Sequence, residues 1–447
     1  MTACTGRILQ FDDMRGFGFI GADDGGEDVF LHASVFGGDS VDLVPGARVE
    51  FQIMEGDRGR KAFAVQLAAE PVRIADQPKP PAQPRPPAEM DITAIDHIEF
   101  YVDDAEQAAA HLCDYYGFAV HGRGGPDAGQ GGCRAVLLRQ QEITLLVTSA
   151  LSDDHHVAEY VRRHGDGVAV IGLTVEDAHA AFAEAVERGA ASVLPPVVLG
   201  DRGSRVTFAS VLGFGDVEHR FTSREAPGGP FAPGLIGEIA PLPVRDGLLE
   251  AVDHIAVCLR AGTLDATVEH YHDVFGFSQT FQEQIVVGCQ RMDSKVVQSA
   301  SGRVTLTLVE PDTTYDPGQI DEFLHSHGGA GVQHVAFLTK DIRAAVRCAS
   351  EGGVRFLTTP SAYYETLTPR VGPVGVPVEA LQELSILADR DGSGVMFQIF
   401  TESRHPRRTL FYELIERRGA RTFGSNNIKA LYEAVERQRA IDRVPGI

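Results

Sequence analysis

An internal repeat constrains the fold of this chain more than any other sequence feature. The segment AIDHIEFYVDD at 94–104 matches AVDHIAVCLRA at 251–261, and GDGVAVIGLTVEDAHAAF at 165–182 matches GAGVQHVAFLTKDIRAAV at 329–346. The two offsets, 157 and 164 residues, are nearly equal. Self-similarity at such a spacing means that one supersecondary unit occurs more than once, so we expect two related halves in one fold.

Each half is predicted to contain the same element order twice: a strand, an amphipathic helix, and several further strands. Four such βαβββ units would form two open, curled barrels in tandem, which is an α+β architecture. We assign residues 91–226 to the first half and residues 227–247, which are rich in Pro and Gly, to the connection. Residues 248–447 form the second half, whose end at 409–439 predicts a strand, a Gly turn and a closing helix.

A proline-rich segment separates the repeat from the start of the chain. It reads PVRIADQPKPPAQPRPP at 71–87 and contains seven prolines, which predicts a semi-rigid linker over residues 71–90. Residues 1–70 contain five short aromatic or alternating runs separated by Gly/Asp turns, namely RILQF, FGFIGA, DVFLHA, RVEFQIM and AFAVQL. Five short strands in this length favour a small closed all-β barrel.

Composition excludes several classes of protein. The net charge of −22 argues against a general nucleic-acid or membrane-surface binder. We find no apolar run near the roughly 18 residues of a membrane span and no secretory signal at the start. The six cysteines are scattered without a C-x-x-C pair, so we expect reduced thiols in the cytoplasm and no membrane partner.

Three residues of the second half form a candidate metal site. His254 lies in VDHIAV, His334 in GVQHVAF and Glu413 in TLFYELIER, all of which are predicted strands. Two imidazoles and one carboxylate on one face of a metal leave the opposite positions open, as in non-haem iron(II) oxygenases. From spacing alone, hydrogen-bonded structural histidines and a solvated glutamate are the more common interpretation of such residues. In the first half His97 matches His254, but Val170 stands where His334 would be expected, so we predict no metal site there.

The second half resembles a known family. GAGVQHVAF, FQIFT with LFYELIER, and FGSNNIKALYEAVE are similar to segments of the 4-hydroxyphenylpyruvate dioxygenase group of the vicinal-oxygen-chelate fold, and the resemblance extends over residues 92–440. It implies iron(II) (Fe2+) held by His254, His334 and Glu413. It also implies a substrate pocket formed by Ser294, Gln319, Gln333, Gln398, Phe400, Phe411, Phe423 and Asn427.

Within that group, IVVGCQRMDSKVVQSASGRVTLTLVEPD at 285–312 and PGQIDEFL at 317–324 resemble the 4-hydroxymandelate synthases. This resemblance implies conversion of 4-hydroxyphenylpyruvate and O2 to 4-hydroxymandelate and CO2. The homogentisate-forming dioxygenases have Pro, Asn and Phe where this chain has Thr307, Val309 and Ile428, so we expect these three positions to determine the product. Formation of homogentisate is the alternative within the same class.

Residues 4–68 resemble a cold-shock domain, which is an OB-fold barrel. RGFGFI and DVFLHAS place Phe17, Phe19, Phe30 and His32 where strand alternation predicts one exposed face, and such rings stack unpaired bases. The chain departs from the family because it contains no Trp and because residues 1–70 hold six Lys plus Arg against twelve Asp plus Glu. We therefore expect weak binding of single-stranded RNA or DNA, or none.

Two interpretations from other classes remain open on the sequence. The chain could be a single-stranded nucleic-acid-binding protein whose oxygenase fold is a scaffold, but the complete His/His/Glu set argues against this. It could also be a non-catalytic metal-binding or resistance protein, which leaves the glutamines and phenylalanines of the predicted pocket without a role. A homodimer is compatible with the sequence, which leaves the oligomeric state undetermined.

Overall fold

The structure is a computed structural model. It describes residues 4–12, 17–22, 29–32, 35–36, 47–56, 59–67, 88, 90–126, 132–240, 247–424, 427 and 429. The chain divides into two compact units, Met1–Arg85 and Pro86–Ile447. Ala88, Met90 and Ile92 are packed in the core of the second unit, and the proline-rich segment before them lies outside the described residues.

The first unit is a closed barrel with the strand order β1-β2-β3-β5-β4. Its strands are β1 (Cys4–Asp12), β2 (Phe17–Ala22), β3 (Val29–His32), β4 (Arg48–Gly56) and β5 (Gly59–Leu67). Alternate apolar side chains fill the interior, among them Ile8, Ile20, Leu31 and Phe51. The predicted small all-β barrel is confirmed.

The first half of the second unit forms one nine-stranded sheet with the order β11-β12-β13-β10-β6-β9-β8-β7-β14. Its helices are α1 (Ala105–Tyr116), α2 (His156–His164) and α3 (Ala178–Glu187). Its strands are β6 (Ala94–Tyr101), β7 (Ala119–Gly124), β8 (Cys133–Gln140), β9 (Ile143–Ala150), β10 (Gly167–Thr174), β11 (Ser192–Leu199), β12 (Val206–Phe214), β13 (Val217–Arg224) and β14 (Gly237–Glu238).

The second half forms an eight-stranded sheet with the order β16-β17-β18-β15-β19-β22-β21-β20. Its helices are α4 (Leu264–Phe275), α5 (Gln319–His327), α6 (Ile342–Gly352), α7 (Ser361–Glu365), α8 (Leu367–Val371) and α9 (Val378–Glu383). Its strands are β15 (Ala251–Cys258), β16 (Ser278–Val287), β17 (Gln290–Gln298), β18 (Thr305–Pro311), β19 (Gly331–Leu338), β20 (Leu387–Arg390), β21 (Val395–Phe400) and β22 (Phe411–Arg418).

The predicted four βαβββ units are confirmed: β6 to β9, β10 to β13, β15 to β18 and β19 to β22. In each half the central strands of two successive units pair antiparallel, β6 with β10 and β15 with β19. Three of the four unit helices begin at an aspartate, Asp104, Asp177 or Asp341, whose carboxylate accepts hydrogen bonds from backbone N–H groups of the first turn. The closing helix predicted after Gly424 lies outside the described residues except for Asn427 and Lys429.

In the described part of the chain, no helix has both the length and the apolar character needed to cross a membrane. All six cysteines are free thiols, and they range from buried Cys133 and Cys258 to exposed Cys289.

Candidate metal centre

Three neighbouring strands at the centre of the second sheet each carry one predicted metal ligand. His254 lies on β15, His334 on β19 and Glu413 on β22. Ala336 of β19 lies opposite His254 on one side and opposite Glu413 on the other, and His334 is two residues before it. Side chains two residues apart on a strand point to the same face. The register therefore places all three ligands on one face of the sheet.

The three side chains converge to form a compact, buried site. One ligand atom from each lies within 4.8 Å of the other two. Glu413 Oε2 lies 3.3 Å from Nε2 of His254 and 3.3 Å from Nε2 of His334. The residues are 3%, 7% and 1% exposed for His254, His334 and Glu413, so water barely reaches them. Two ring nitrogens and one carboxylate oxygen thus point at a common position.

Burial and the neighbouring charges shift the pKa values of His254 and Glu413 in opposite directions. Burial by itself opposes protonation of His254, but Glu413 and Asp253 outweigh it and raise the pKa of His254 to about 9. Burial by itself would raise the pKa of Glu413, but the two imidazoles outweigh it and lower that pKa to about 2. Burial also lowers the pKa of His334. The carboxylate is therefore ionised and attracts a cation, and a metal would displace the proton from His254.

An aspartate and an arginine support His254 from behind. Asp253 Oδ1 lies 2.8 Å from Nδ1 of His254. Because this oxygen accepts a hydrogen bond from Nδ1, the lone pair of Nε2 is directed into the site, as a metal ligand requires. Arg417 donates two hydrogen bonds to Asp253, at 2.7 and 2.8 Å. The carboxylate is thereby held ionised in spite of its burial, and its pKa lies well below the ordinary value.

A chain of hydrogen bonds holds the second oxygen of Glu413. Gln398 donates from Nε2 to Glu413 Oε1 at 2.8 Å, and Asn427 donates from Nδ2 to Gln398 Oε1 at 2.8 Å. The hydroxyl of Tyr363 donates to Asn427 Oδ1 at 2.8 Å. Glu413 thus uses Oε1 within the protein and leaves Oε2 toward the two histidines. The amide of Gln398 is engaged at both ends, so it orients the carboxylate of Glu413.

A cavity opens directly in front of the three ligands. Five of the eight predicted pocket residues line it, together with Thr307 and Val309: Ser294, Gln333, Gln398, Phe400 and Phe423. The sequence did not identify four further lining residues, Ala256, Phe281, Ile285 and Val296. Alternation gives a signal for two of them, because Ala256 is two residues after His254 and Val296 is two residues after Ser294. Phe281 and Ile285 lie on β16, and the pairing of β16 with β17, in which Phe281 is opposite Val296, brings them to the cavity.

The other three predicted pocket residues, Gln319, Phe411 and Asn427, are not among the residues that line the cavity. Phe411 stacks on the ring of His334 with centroids 4.9 Å apart. Asn427 is fully buried and reaches the ligands through Gln398. Gln319 is buried at the start of α5. Ile428, one of the three predicted product-determining residues, lies outside the described residues.

Comparison with known proteins agrees with this geometry. The Glyoxalase/Bleomycin resistance protein/Dioxygenase superfamily models match residues 96–208 and residues 251–399, and the 'Cold-shock' DNA-binding domain model matches residues 4–68. The 4-hydroxyphenylpyruvate dioxygenase of Dictyostelium discoideum is 32% identical over 358 residues, which cover 77% of this chain and 98% of the relative. That of Danio rerio is 33% identical over 77% of this chain and 90% of the relative.

The chain belongs to the 4-hydroxyphenylpyruvate dioxygenase family. Among solved structures, a triple mutant of 4-hydroxymandelate synthase from Streptomyces coelicolor is similar, with 44% identity and a TM-score of 0.71. The match covers 79% of this chain and all of that structure. The family and the α+β fold, with a cold-shock barrel followed in the chain by two vicinal-oxygen-chelate halves, are therefore as expected from the sequence.

In addition to the family's two halves, this chain has the barrel, for which the sequence predicts an exposed aromatic face. The register of β2 and β3 places Phe17 opposite His32 and Phe19 opposite Phe30. The rings of Phe19 and Phe30 are half-buried and lie edge to face with centroids 5.9 Å apart, and His32 is exposed. Of Phe17 only the backbone is described. The four positions thus lie on one pair of antiparallel strands.

Proposed function

We propose that the second half of this family member is an iron(II)-dependent oxygenase that converts 4-hydroxyphenylpyruvate and O2 to 4-hydroxymandelate and CO2. The observation that carries the proposal is the buried convergence of His254, His334 and Glu413 at the wall of a cavity. Phe400 and Phe423 line the same cavity, which suits a reaction that must exclude water.

The residues fit iron(II). Two neutral imidazole nitrogens and one carboxylate oxygen, all from one side, are the donor set of non-haem iron(II) oxygenases and leave the opposite coordination positions open. Bound iron(II), held by His254, His334 and Glu413, would supply a site that binds a 2-oxo acid and activates dioxygen. Gln398 keeps Glu413 to one ligating oxygen, and Asp253 keeps Nε2 of His254 available.

The reaction balances without a second reductant. The bond between the carboxylate and the ketone carbon of the substrate breaks, and CO2 leaves. One oxygen atom of O2 becomes part of the new carboxylate, and the other becomes the benzylic hydroxyl. The task of the protein is to place the benzylic carbon, and not the ring, next to the activated oxygen, and a displacement of about 1 Å suffices to redirect such a reaction.

Thr307 and Val309 support the mandelate product over homogentisate. Both line the cavity, and Val309 lies opposite Ser294 in the register of β17 and β18. The valine side chain offers no hydrogen bond, whereas an asparagine there would donate and accept. The ring of the substrate is then held by packing and by the few remaining polar groups.

Product analysis tests the proposal. We expect the full chain, incubated with iron(II), ascorbate and 4-hydroxyphenylpyruvate in air, to form mainly 4-hydroxymandelate, as measured by chromatography against both standards. Mainly homogentisate would leave the iron(II) oxygenase assignment standing and overturn the product assignment. No product with iron-loaded protein would overturn both.

Substitution of the cavity wall tests the reason for the product. We expect Val309→Asn, alone and with Ile428→Phe, to raise the homogentisate fraction, because a difference of about 1.4 kcal/mol between the two barriers already changes the ratio tenfold. Val309→Thr is the matched control, since threonine keeps the shape of valine and adds a hydroxyl, whereas asparagine adds an amide. An unchanged ratio in all three variants would show that these positions do not control the outcome.

For the barrel we propose weak binding of single-stranded RNA or DNA through the face that carries Phe19, Phe30 and His32. The ring pair of Phe19 and Phe30 supports this, while the acidic composition of residues 1–70 limits the affinity. We expect the anisotropy of a labelled oligonucleotide to report binding by the full chain that disappears with rising salt. Phe30→Ala should abolish it, and Met54→Ala, at an exposed apolar residue on a different strand of the barrel, should not.

A further inference from the structure

Arg417 connects two parts of the active-site region that are distant in sequence. Its Nε and Nη2 donate to the two oxygens of Asp253 at 2.7 and 2.8 Å, which is a bidentate pair. Asp253 Oδ1 in turn holds Nδ1 of His254 at 2.8 Å. Arg417 and Asp253 have only 18% and 10% of their side chains exposed, so solvent screens this pair weakly.

The remaining nitrogen of the same guanidinium, Nη1, contacts the backbone of the segment that follows β22. We call residues 420–424 the rim segment, because its Phe423 lines the cavity. Arg417 Nη1 donates to the backbone carbonyl of Thr422 at 2.7 Å and lies 3.4 Å from that of Ala420. The guanidinium carbon lies 5.2 Å from the centroid of the Phe423 ring, which is within cation–π range.

The rim segment also contacts the metal ligand directly. The ring of Phe423 meets the ring of His254 edge to face, with centroids 5.1 Å apart and an interplanar angle of 85°. His254 is thus fixed on two sides, by Asp253 at Nδ1 and by Phe423 at the ring. Arg417 contacts both of these residues, Asp253 through two hydrogen bonds and Phe423 through its ring.

The first half contains the same arrangement without the metal ligands. Arg224 forms a bidentate pair with Asp96, which lies 2.7 Å from Nδ1 of His97. The ring of Phe231 meets His97 edge to face at 5.0 Å, and the Arg224 guanidinium carbon lies 5.8 Å from the Phe231 centroid. The molecule therefore provides its own control for what such an arginine contributes to folding alone.

We propose that Arg417 is a positioning residue that couples the metal ligand His254 to closure of the cavity by the rim segment. The proposal rests on the proposed function above, because it requires that His254 binds iron(II). Through one rigid fork, Arg417 orients Asp253 and hence the Nε2 lone pair of His254, and it fixes the carbonyls that keep Phe423 over the cavity. Lysine provides a charge but no planar fork, so it cannot make both sets of contacts at once.

The experiment compares Arg417→Lys with Arg224→Lys in the full chain. We measure the iron(II) dissociation constant by anaerobic calorimetry and the melting temperature of the metal-free protein. We expect Arg417→Lys to weaken iron binding by about 10- to 100-fold, the usual effect of losing a partner behind a metal ligand. Arg224→Lys should leave the dissociation constant within about twofold of the wild type, because its aspartate supports no metal ligand.

A second readout separates positioning from stability. Cobalt(II) in place of iron(II) gives visible absorption bands that report coordination geometry, and we expect Arg417→Lys to change these bands at saturating metal. Arg224→Lys should leave them as in the wild type even if both variants lose the same melting temperature. Should Arg417→Lys fail to fold, Asp253→Asn serves the same purpose, since it keeps an oxygen acceptor for His254 and loses the bidentate pair.

The outcomes are distinct. Equal losses of melting temperature with unchanged metal affinity and unchanged cobalt bands in both variants would overturn the proposal and leave Arg417 a structural residue. Weakened iron binding and altered bands confined to Arg417→Lys support it. A wild-type chain that binds no iron would overturn the proposed function first and this inference with it.

Discussion

The two halves of the second unit share a frame and differ at the positions that would bind a metal. The strand registers align them residue by residue: Gly172 lies opposite His97 and Arg220, just as Ala336 lies opposite His254 and Glu413. Val170 and His334 each lie two residues before these central positions. Of the triad, the first half therefore keeps one histidine and has Val170 and Arg220 in place of the other histidine and the glutamate.

In the first half, a cation of the protein occupies the region where the second half would bind a metal cation. Arg220 Nη1 lies 2.7 Å from Glu99 Oε2 and 3.5 Å from Nε2 of His97. Thr148 donates to the other oxygen of Glu99 at 2.8 Å. Burial by itself would raise the pKa of Glu99, but Arg220 outweighs it and keeps the carboxyl ionised. The buried charges are thus paired within the chain, and no metal is needed to neutralise them.

The space in front of the ligand positions also differs between the halves. In the first half it is a packed apolar cluster that includes Leu137, Leu146, Phe208, Phe231 and Ile236, the last two from the connection between the halves. In the second half the register puts Val296 and Thr307 where Leu137 and Leu146 lie, and these smaller side chains line a cavity. The same sheet therefore makes a core or a pocket, depending on side-chain volume.

The two halves also differ at the central strand position, which is Gly172 in the first half and Ala336 in the second. A Cβ on Gly172 would lie 2.3 Å from Nδ1 of His97, so the His97 ring rests directly on the backbone of β10. The equivalent Ala336 has a Cβ, which prevents the same placement for His254. Both halves contain the same Asp–His–Arg–Phe arrangement: Asp96, His97, Arg224 and Phe231 in the first half, and Asp253, His254, Arg417 and Phe423 in the second. This arrangement is therefore compatible with a half that folds around an internal ion pair and with a half that has a candidate metal site. A few neighbouring positions on the same face of the sheet distinguish the two.

The largest expected effect separates His254 from His97. We expect His254→Ala, like His334→Ala and Glu413→Ala, to reduce turnover of 4-hydroxyphenylpyruvate to background, because each removes one of three protein ligands. His97→Ala should lose some stability, about 1–3 kcal/mol, because buried Asp96 loses its hydrogen bond to His97 while it keeps Arg224, and should keep most of the turnover at saturating iron. Initial rates and melting curves of the four variants check this. A loss of turnover in His97→Ala as large as in His254→Ala would show that the halves are assigned backwards.

Stability of the first half tests the internal ion pair. We expect Arg220→Met to lower the free energy of unfolding by about 3–5 kcal/mol, because Glu99 is then buried without its counter-ion. The double variant Arg220→Met with Glu99→Leu should recover most of this loss, since no buried charge remains. Denaturant unfolding of the metal-free protein measures both. A double variant no more stable than the single one would show that the pair does more than neutralise Glu99.

Metal removal should affect only the second half. With free iron(II) at about 100 times its dissociation constant, chelation should lower stability by about 2.7 kcal/mol. We expect this difference to vanish in Glu413→Ala and to persist in Arg220→Met, as followed by melting curves under anaerobic conditions. Loss of the metal effect in Arg220→Met would contradict the assignment of the metal to the second half.

The smallest effect is expected from removing the barrel. Deletion of residues 1–85 should leave kcat/KM within about twofold of the wild type, because the first unit has its own core. Deletion of residues 1–92 is the control, since it also removes Ala88, Met90 and Ile92, which are 7%, 9% and 2% exposed in the core of the second unit. We expect that longer deletion to lower the melting temperature. A loss of melting temperature on deletion of residues 1–85 that is as large as the loss on deletion of residues 1–92 would show that the first unit stabilises the second.

Local sequence patterns predicted the elements, and together with the family resemblance they selected the three candidate metal ligands that the structure brings together. The repeat predicted four βαβββ units because each unit buries its own apolar face, which leaves a periodic trace in the chain. His254, His334 and Glu413 were identified because they lie on strands whose alternation and family resemblance are readable within about ten residues. The same alignment of the two copies showed that the first half has Val170 at the position of His334 and so lacks this candidate ligand.

The partners of those residues depended on tertiary structure. Three of these relations join segments that are many residues apart. Arg220 stands in the first half where Glu413 stands in the second, and Arg417 supports His254 through Asp253. Tyr363 reaches Glu413 through Asn427 and Gln398. No local period relates them, because their distances are set by strand pairing and by the curvature of the sheet. The sequence alone determined which residues are available and which face of a strand they occupy. Only the folded chain decided which of them meet, since charges and hydrogen bonds act over a few ångströms in space without regard to separation along the chain.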